Sequence, residues 1–305
     1  MKRISVILTT FNSEKYLQRT LDSIFNQNGI NYEFEIELLV VDDQSKDNTQ
    51  KILTANGIDF MSNSINSGGP NKGRNLGLRQ ASGDFICLMD HDDEWHPNKI
   101  RTQLSLTHIA PIITSGHTIC DGFTNSKTEI VRSSNPDKLY HFFDINIVFL
   151  QKLSRASVPT GYIGSIMFAS NLKNLEFEEH HGRIDFDWLL KLFHNNTSIE
   201  INASLYNRYL SPNNLSVDNE YRAIDFFYSL YAIENYFQRY PKHSKIGANR
   251  IIASRARYFY HFNKMRQARF WFFKSAISVK HIFYILTSFY GHSFVRRKFK
   301  VISFQ

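Results

Sequence analysis

The sequence predicts an α/β protein, with a mostly parallel central sheet flanked by helices and an all-α C-terminal appendage. Three observations predict it. Short apolar runs rich in β-branched residues alternate with stretches of helical spacing through the first hundred residues. Each of the strongest runs gives way at its carboxyl end to polar residues, the edge at which doubly wound sheets bind ligands. The charge also divides along the chain: residues 1–219 hold 20 Lys and Arg against 25 Asp and Glu, a net of −5, whereas residues 220–305 hold 16 against 3, a net of +13.

The run Ile4 to Leu8 is apolar throughout, as suits a strand buried on both faces. Thr9-Thr10-Phe11-Asn12-Ser13 follows it, then a helix over Glu14 to Gln27, with Tyr16, Leu17, Leu21, Ile24 and Phe25 at helical spacing and Ser13 placed to cap it. Glu37 to Val41 predicts a second strand ending in Asp42-Asp43-Gln44-Ser45, and Asn48 to Ala55 a second helix. Asp59-Phe60-Met61 is a weaker strand, followed by a loop with Asn66, Gly68, Gly69 and Pro70 and a helix from Lys72 to Gln80. Phe85 to Met89 is the fourth strand, ending in Asp90-His91-Asp92-Asp93. A helix is expected over Asn98 to Thr107, a strand at Ile112 to Thr114 and a polar loop over Asp121 to Asp137. Ile184 to Phe193 has helical spacing, and everything from Tyr221 onward is expected to be helix, with a hairpin turning at Asn263-Lys264.

A composition of 42% hydrophobic and 14% aromatic residues excludes a disordered chain. Two cysteines, Cys87 and Cys120, cannot build a disulfide framework. The best uncharged stretch, His281 to Val295, contains two histidines, ends in Arg296-Arg297-Lys298 and is shorter than the roughly 20 apolar residues a spanning helix needs. Ile4 to Leu8 is too short for a signal-peptide core. A cytoplasmic protein is expected. The overall charge of +8 is a property of the tail, which also holds 23 of the 44 aromatic residues, so two differently composed parts are expected, residues 1–219 and 220–305.

Asp90, Asp92 and Asp93 place three carboxylates in four residues directly after a buried strand, and their repulsion favours a bound cation. Hard cations such as Mg²⁺ take one or two protein carboxylates and complete their shell with phosphate oxygens, which points to a metal–diphosphate site. An acidic loop that caps the next helix is the alternative reading of the same four residues.

Four blocks set this cluster in context: Ser5-Val6-Ile7-Leu8-Thr9-Thr10-Phe11-Asn12; Val40-Val41-Asp42-Asp43-Gln44-Ser45-Lys46-Asp47-Asn48-Thr49; Gly73-Arg74-Asn75-Leu76-Gly77 running into Ala81-Ser82-Gly83-Asp84-Phe85-Ile86; and Met89-Asp90-His91-Asp92-Asp93. In order and spacing they closely resemble the family 2 glycosyltransferases. The resemblance covers residues 1–105 strongly and 155–216 more weakly. It implies a GT-A fold, a nucleotide-sugar donor, usually a uridine diphosphate sugar, a Mn²⁺ or Mg²⁺ cofactor, and transfer with inversion to a saccharide or lipid-linked acceptor in surface polysaccharide assembly.

Residue by residue, the resemblance assigns Thr9, Phe11 and Asn12 to the nucleotide pocket, Phe11 offering a ring face and Asp42 accepting from the base. Arg74 faces the diphosphate, with Asn75 and Gly77 keeping its helix close to the strand edge. Asp92 serves the ribose or the metal and Asp93 the metal, while Asp90 supports the turn and His91 is a filler. An inverting transfer needs a base opposite the leaving diphosphate, and the start of Ile184-Asp185-Phe186-Asp187-Trp188 resembles the block that carries it, which makes Asp185 the candidate. Ile184 stands where the family has a Glu, and Glu178 and Glu179 are the rival bases. Tyr206-Asn207-Arg208-Tyr209, then Asn214-Leu215-Ser216, resembles the family's strand with an Arg and a following His. Arg208 is present, but Leu210 takes the place of the His.

A sugar nucleotidyltransferase of related architecture would carry a Gly-rich basic loop after the first strand, and Thr9-Thr10-Phe11-Asn12 has none. A binding protein that keeps the fold without turnover is a further alternative. The composition of residues 220–305 suits either nucleic acid or an anionic membrane surface, and the inner face of the cell membrane is the reading preferred here, with no nucleic-acid partner expected. A packed helical interaction module is the structural alternative for the same residues.

Overall fold

The computed structural model describes residues 1–133, 135, 137–155, 161–211, 219–276 and 278–291. It divides into two compact units, one of Met1–Phe149 with Ser157–Arg222 and one of Leu150–Ala156 with Ala223–Gln305.

The first unit begins with β1 (Lys2–Thr10), α1 (Leu17–Phe25), β2 (Phe34–Asp42), α2 (Thr49–Ala55), β3 (Phe60–Ser62), α3 (Asn71–Gln80) and β4 (Phe85–Asp90). These strands lie side by side in the order β3-β2-β1-β4, all parallel, with Thr10 of β1 level with Asp42 of β2 and Thr9 level with Asp90 of β4. Burial of Ile4, Val6, Ile7 and Leu8 on both faces explains the unbroken apolar run. Leu17, Leu21 and Ile24 give α1 its buried stripe. The helix starts later than its spacing implied and Ser13 does not cap it: the Ser13 amide donates to Thr49 Oγ1 at 2.8 Å, and its carbonyl accepts from Tyr16 and Leu17.

β5 (Glu94–Trp95), α4 (Lys99–Leu104), β6 (Ile112–Asp121), β7 (Ser126–Ile130), β8 (Tyr140–Phe143) and α5 (Ile147–Leu153) follow, then β9 (Met167–Ala169), α6 (Phe186–Phe193) and β10 (Ser198–Leu210). The sheet continues from β4 through β9, β6 and β10 to β5, with β7 on β6 and β8 on β10. β9 is antiparallel to both of its neighbours and β6 is parallel to β10. The stretch expected to be loop over Asp121 to Asp137 thus contains a strand. β7 is exposed except at the half-buried Ile130, so it carries no apolar alternation to read, and it is held by its ladder to β6.

α3 packs against β1 because Gly77 has no side chain: a Cβ there would lie 2.5 Å from Ile7 Cγ2. Asn75 does a different job from the one expected. Its amide donates to the Phe177 carbonyl at 2.9 Å and accepts from the Phe177 amide at 2.8 Å, tying α3 to the segment that leads to α6.

The second unit holds α7 (Asn219–Glu234) from Ala223 onward, then α8 (Pro241–His261), α9 (Met265–Lys274) and α10 (Val279–Thr287). α8 and α9 form the hairpin, turning at Asn263 and Lys264. Its core is Ala256, Tyr260, Ala268, Phe272 and Tyr284, with the Phe272 and Tyr284 rings stacked at 5.3 Å. Among the described residues no helix is long and apolar enough to cross a membrane.

Candidate active site

A cavity of about 600 Å³ opens beyond the carboxyl ends of β1, β2 and β4, where helix-flanked parallel strands leave backbone and polar side chains facing a crevice. Thr9, Phe11, Asn12, Arg74, Asp92, Asp93, Asp185 and Arg208 all line it, so the structure brings together residues scattered over two hundred positions. Of the expected site residues one is missing from its wall, Asp42.

Asp42 is fully buried and its carboxylate is saturated by its own neighbourhood. Thr10 Oγ1 and Ser45 Oγ donate to one oxygen at 3.0 and 2.5 Å, and the Ser45 amide and Gln50 Nε2 to the other at 3.0 and 2.7 Å. Four donors fill the lone pairs of a carboxylate, which leaves none for a base. Asp42 shapes the loop after β2, and Asp43 is the aspartate that reaches the cavity. Asp43 is itself positioned by Asn63 at 2.6 Å and by the amide and hydroxyl of Ser67.

Phe11, 42% exposed just past the end of β1, lies on the cavity wall. Asn12 adopts φ +47°, and it closes the turn by accepting from the Lys46 amide through its side chain and donating its own backbone amide to the Ser45 hydroxyl oxygen.

Arg74 is buried on α3 and donates to Asp90 at 2.7 Å and to Asn71 at 3.3 Å, with its guanidinium 5.3 Å from the Phe177 ring. Burial pushes the Asp90 carboxyl up and the Arg74 charge outweighs it, so Asp90 ionises below the usual range. Tyr162 adds a hydroxyl to the other oxygen at 3.3 Å. Asp90 is therefore tied to α3 by an ion pair.

Asp92 and Asp93 shift the other way. Burial raises Asp92, with Asp90 adding to it against His91, and burial with the charges of Asp92 and Asp90 lifts Asp93 well above the usual range. Asp93 is only 2% exposed and already accepts from the Tyr206 hydroxyl at 2.6 Å and the Tyr209 amide at 2.8 Å. Two hard oxygen donors whose ionisation is opposed suit a divalent cation. No group of three or more acidic, His or Cys side chains converges on one point among the described residues, so a cation here would need phosphate oxygens to complete its shell.

Asp185 directly precedes α6, after Ile184, and its side chain does not cap the helix. It reaches the cavity wall, and its field is felt by Arg74. The rival carboxylates are outside. Glu178 accepts from the His181 amide at 2.6 Å, while Glu179 accepts from Asn75 at 2.7 Å and pairs with Arg79 at 3.3 Å; neither lines the cavity. Asp187 pairs with Lys191 one turn along α6 at 2.6 Å. Arg208 of β10 stacks on Tyr162 at 4.6 Å; Leu210 is not on the wall, and Asn214, Leu215 and Ser216 lie outside the described residues.

Besides Asp43, the structure adds Tyr16, Tyr162 and Arg183 to the site. Tyr162 sits between Arg208 and Asp90 and is backed by Tyr206 at 5.5 Å and His117 at 5.7 Å, a histidine pushed down to about 4 by burial and by Arg208. Arg183 holds the glycine loop through the Gly68 carbonyl at 2.5 Å.

The family model described as Glycosyl transferase family 2 matches residues 5–152. Among curated relatives, the poly(ribitol-phosphate) beta-N-acetylglucosaminyltransferase TarS of Staphylococcus aureus is 42% identical over 97 residues, which is 30% of this chain and 17% of that protein. The UDP-Glc:alpha-D-GlcNAc-diphosphoundecaprenol beta-1,3-glucosyltransferase WfgD of Escherichia coli is 36% identical over 106 residues, 34% of this chain and 40% of WfgD. The matched stretch is thus under half the length of either relative. Among solved structures, residues 1–349 of S. aureus TarS with UDP superpose at a TM-score of 0.65 and 23% identity, covering 89% of this chain and 78% of that one. The mannosyltransferase PcManGT of Pyrobaculum calidifontis, solved with GDP-Man and Mn²⁺, does so at 0.59 and 14% identity, covering 97% and 81%.

Proposed function

We propose, for a chain that belongs to glycosyl transferase family 2 and has its GT-A fold, that it transfers a hexosyl or N-acetylhexosaminyl group, with inversion, from a UDP-sugar to a hydroxyl of a saccharide or lipid-linked saccharide. The observation that carries this reading is the convergence on one cavity of the Phe11 ring, three arginines, the acidic pair Asp92 and Asp93 and a separate carboxylate, Asp185. Phe11 and Asp43 would take the base, and Arg208 the diphosphate. Arg74, already paired with Asp90, would lend the diphosphate its field more than a direct bond. Asp92 and the remaining lone pairs of Asp93 would hold Mn²⁺ or Mg²⁺, which when bound offsets charge on the leaving diphosphate.

Asp185 then acts as general base. It takes the proton of the acceptor hydroxyl as that oxygen attacks the anomeric carbon, while the electron pair of the breaking bond leaves with UDP. The product class suits cell-surface polysaccharide assembly, and the charge of residues 220–305 supports a station on the cytoplasmic face of the membrane.

The test is UDP release from a panel of UDP-sugars with Mn²⁺ and candidate acceptors. Asp185→Asn should lower kcat by about 10²- to 10⁴-fold with donor binding intact. If turnover is unchanged, Asp185 is not the base. Failure of every nucleotide-sugar to bind in the presence of metal would end the transferase reading.

A further inference from the structure

α10 has two sharply different sides. Tyr284 and Thr287 face the helical core, Tyr284 against Phe272 and Tyr260, and Thr287 accepting the Tyr260 hydroxyl at 2.9 Å. The opposite side carries Val279, Ile282, Phe283 and Leu286 at helical spacing, continued by Phe289 and Tyr290, and all six are exposed, Val279 by 86% and Leu286 by 59%. A contiguous aliphatic and aromatic stripe of this kind on a surface marks a docking face.

The charge around it selects the occupant. From Asn235 to Gln305 the sequence has no Asp or Glu and 15 Lys and Arg. Lys280 and Lys274 are exposed at and just before the start of the helix, and Arg269 lies over the Phe289 ring at 4.4 Å. A purely apolar helix side set in a region without a single carboxylate matches the interface of an anionic bilayer, where acyl chains take the stripe and headgroups take the cations. Phe283, Phe289 and Tyr290 would offer a nucleic acid stacking rings, but Val279, Ile282 and Leu286 between them are aliphatic and this side of the helix carries no Lys or Arg of its own.

We propose that α10 is the element that lies in the headgroup region of an anionic membrane, inserting Ile282, Phe283 and Leu286. This deepens the membrane station suggested above and rests on it only for the choice of leaflet. The full chain should float with phosphatidylglycerol-containing vesicles, bind phosphatidylcholine vesicles far more weakly and lose affinity as salt rises. Ile282→Asp and Leu286→Asp should each weaken partition by about tenfold or more, since each removes a buried aliphatic side chain.

UDP-sugar binding, measured on the same preparations, should be unchanged. That separates a failure here from a failure of the transferase reading, and unchanged far-UV circular dichroism shows that the helical unit of the variants folds. Leu286→Trp should bind as the parent does and be quenched by brominated acyl chains beyond the parent's signal. Absence of vesicle binding, or binding indifferent to both Asp variants, would overturn the proposal. So would a dimer that the Asp variants dissociate, or an oligonucleotide that competes for the same residues.

Discussion

Arg74→Met is the substitution that probes the site's electrostatics most directly. It keeps much of the stem and the contact with Phe177 while removing the charge that Asp90 needs. The pair is 2.7 Å apart with 6% of the Arg74 side chain and 21% of the Asp90 side chain exposed, so the stranded carboxylate keeps little beyond the Tyr162 hydroxyl at 3.3 Å. Breaking a buried pair on one side costs about 3–5 kcal/mol, and the residual hydroxyl and partial exposure favour the lower end, about 3 kcal/mol.

The sign with pH follows from the depressed Asp90 value. A carboxyl that ionises more readily folded than unfolded adds stability above its unfolded value, and loses it as pH falls through the lower folded one. In Arg74→Met burial is no longer outweighed, the carboxyl moves up, and protonation relieves it. The deficit against the parent should therefore be largest at neutral pH and shrink on acidification. Urea unfolding followed by tryptophan fluorescence in a Trp271→Phe background reads the first unit, where Trp95 and Trp188 are buried. Adding Asp90→Asn to Arg74→Met should recover most of the loss. A single variant within about 1 kcal/mol of the parent at neutral pH, the cost of an exposed pair, would refute the reasoning, as would a double variant no better than the single.

Two further outcomes follow from the same geometry. Gly77→Ala should destabilise the first unit by about 1–2 kcal/mol in the same urea assay, because the new methyl meets Ile7 Cγ2 at 2.5 Å inside a fully buried strand and overpacking exceeds the gain in helix propensity. The thermal stabilisation given by Mn²⁺ with UDP should grow from acidic to neutral pH, because a cation at Asp92 and Asp93 must displace protons that their raised values retain. A pH-independent gain in melting temperature would count against those two residues as the site.

Much of the first unit was legible because its signals are local. Ile4 to Leu8 and Phe85 to Met89 read as strands from apolar content alone, and the polar residues that end them fall at one sheet edge by topology. Features set by distant partners were not legible. β7 has no apolar alternation and exists through its ladder to β6, and Tyr162 gains its place from Asp90 and Arg208, far away in sequence. Ser13 reads as a cap, yet its hydroxyl lies against Thr49 Oγ1 at 3.4 Å and makes no bond to the amides of α1.

The choice between Asp42 and Asp43 turns on partners that the order of residues does not reveal. Thr9 is level with Val41 and Thr10 with Asp42, yet Thr9, Thr10, Phe11 and Asn12 all line the cavity, so strand parity does not separate the two aspartates at the carboxyl edge. Hydrogen bonding does. Asp42 accepts from Thr10, Ser45 and Gln50 and stays off the wall, whereas Asp43 accepts from Asn63 and Ser67 and lies on it. Gln50 belongs to α2 and Asn63 follows β3, so the two carboxylates are told apart by side chains that meet them only once the fold has formed.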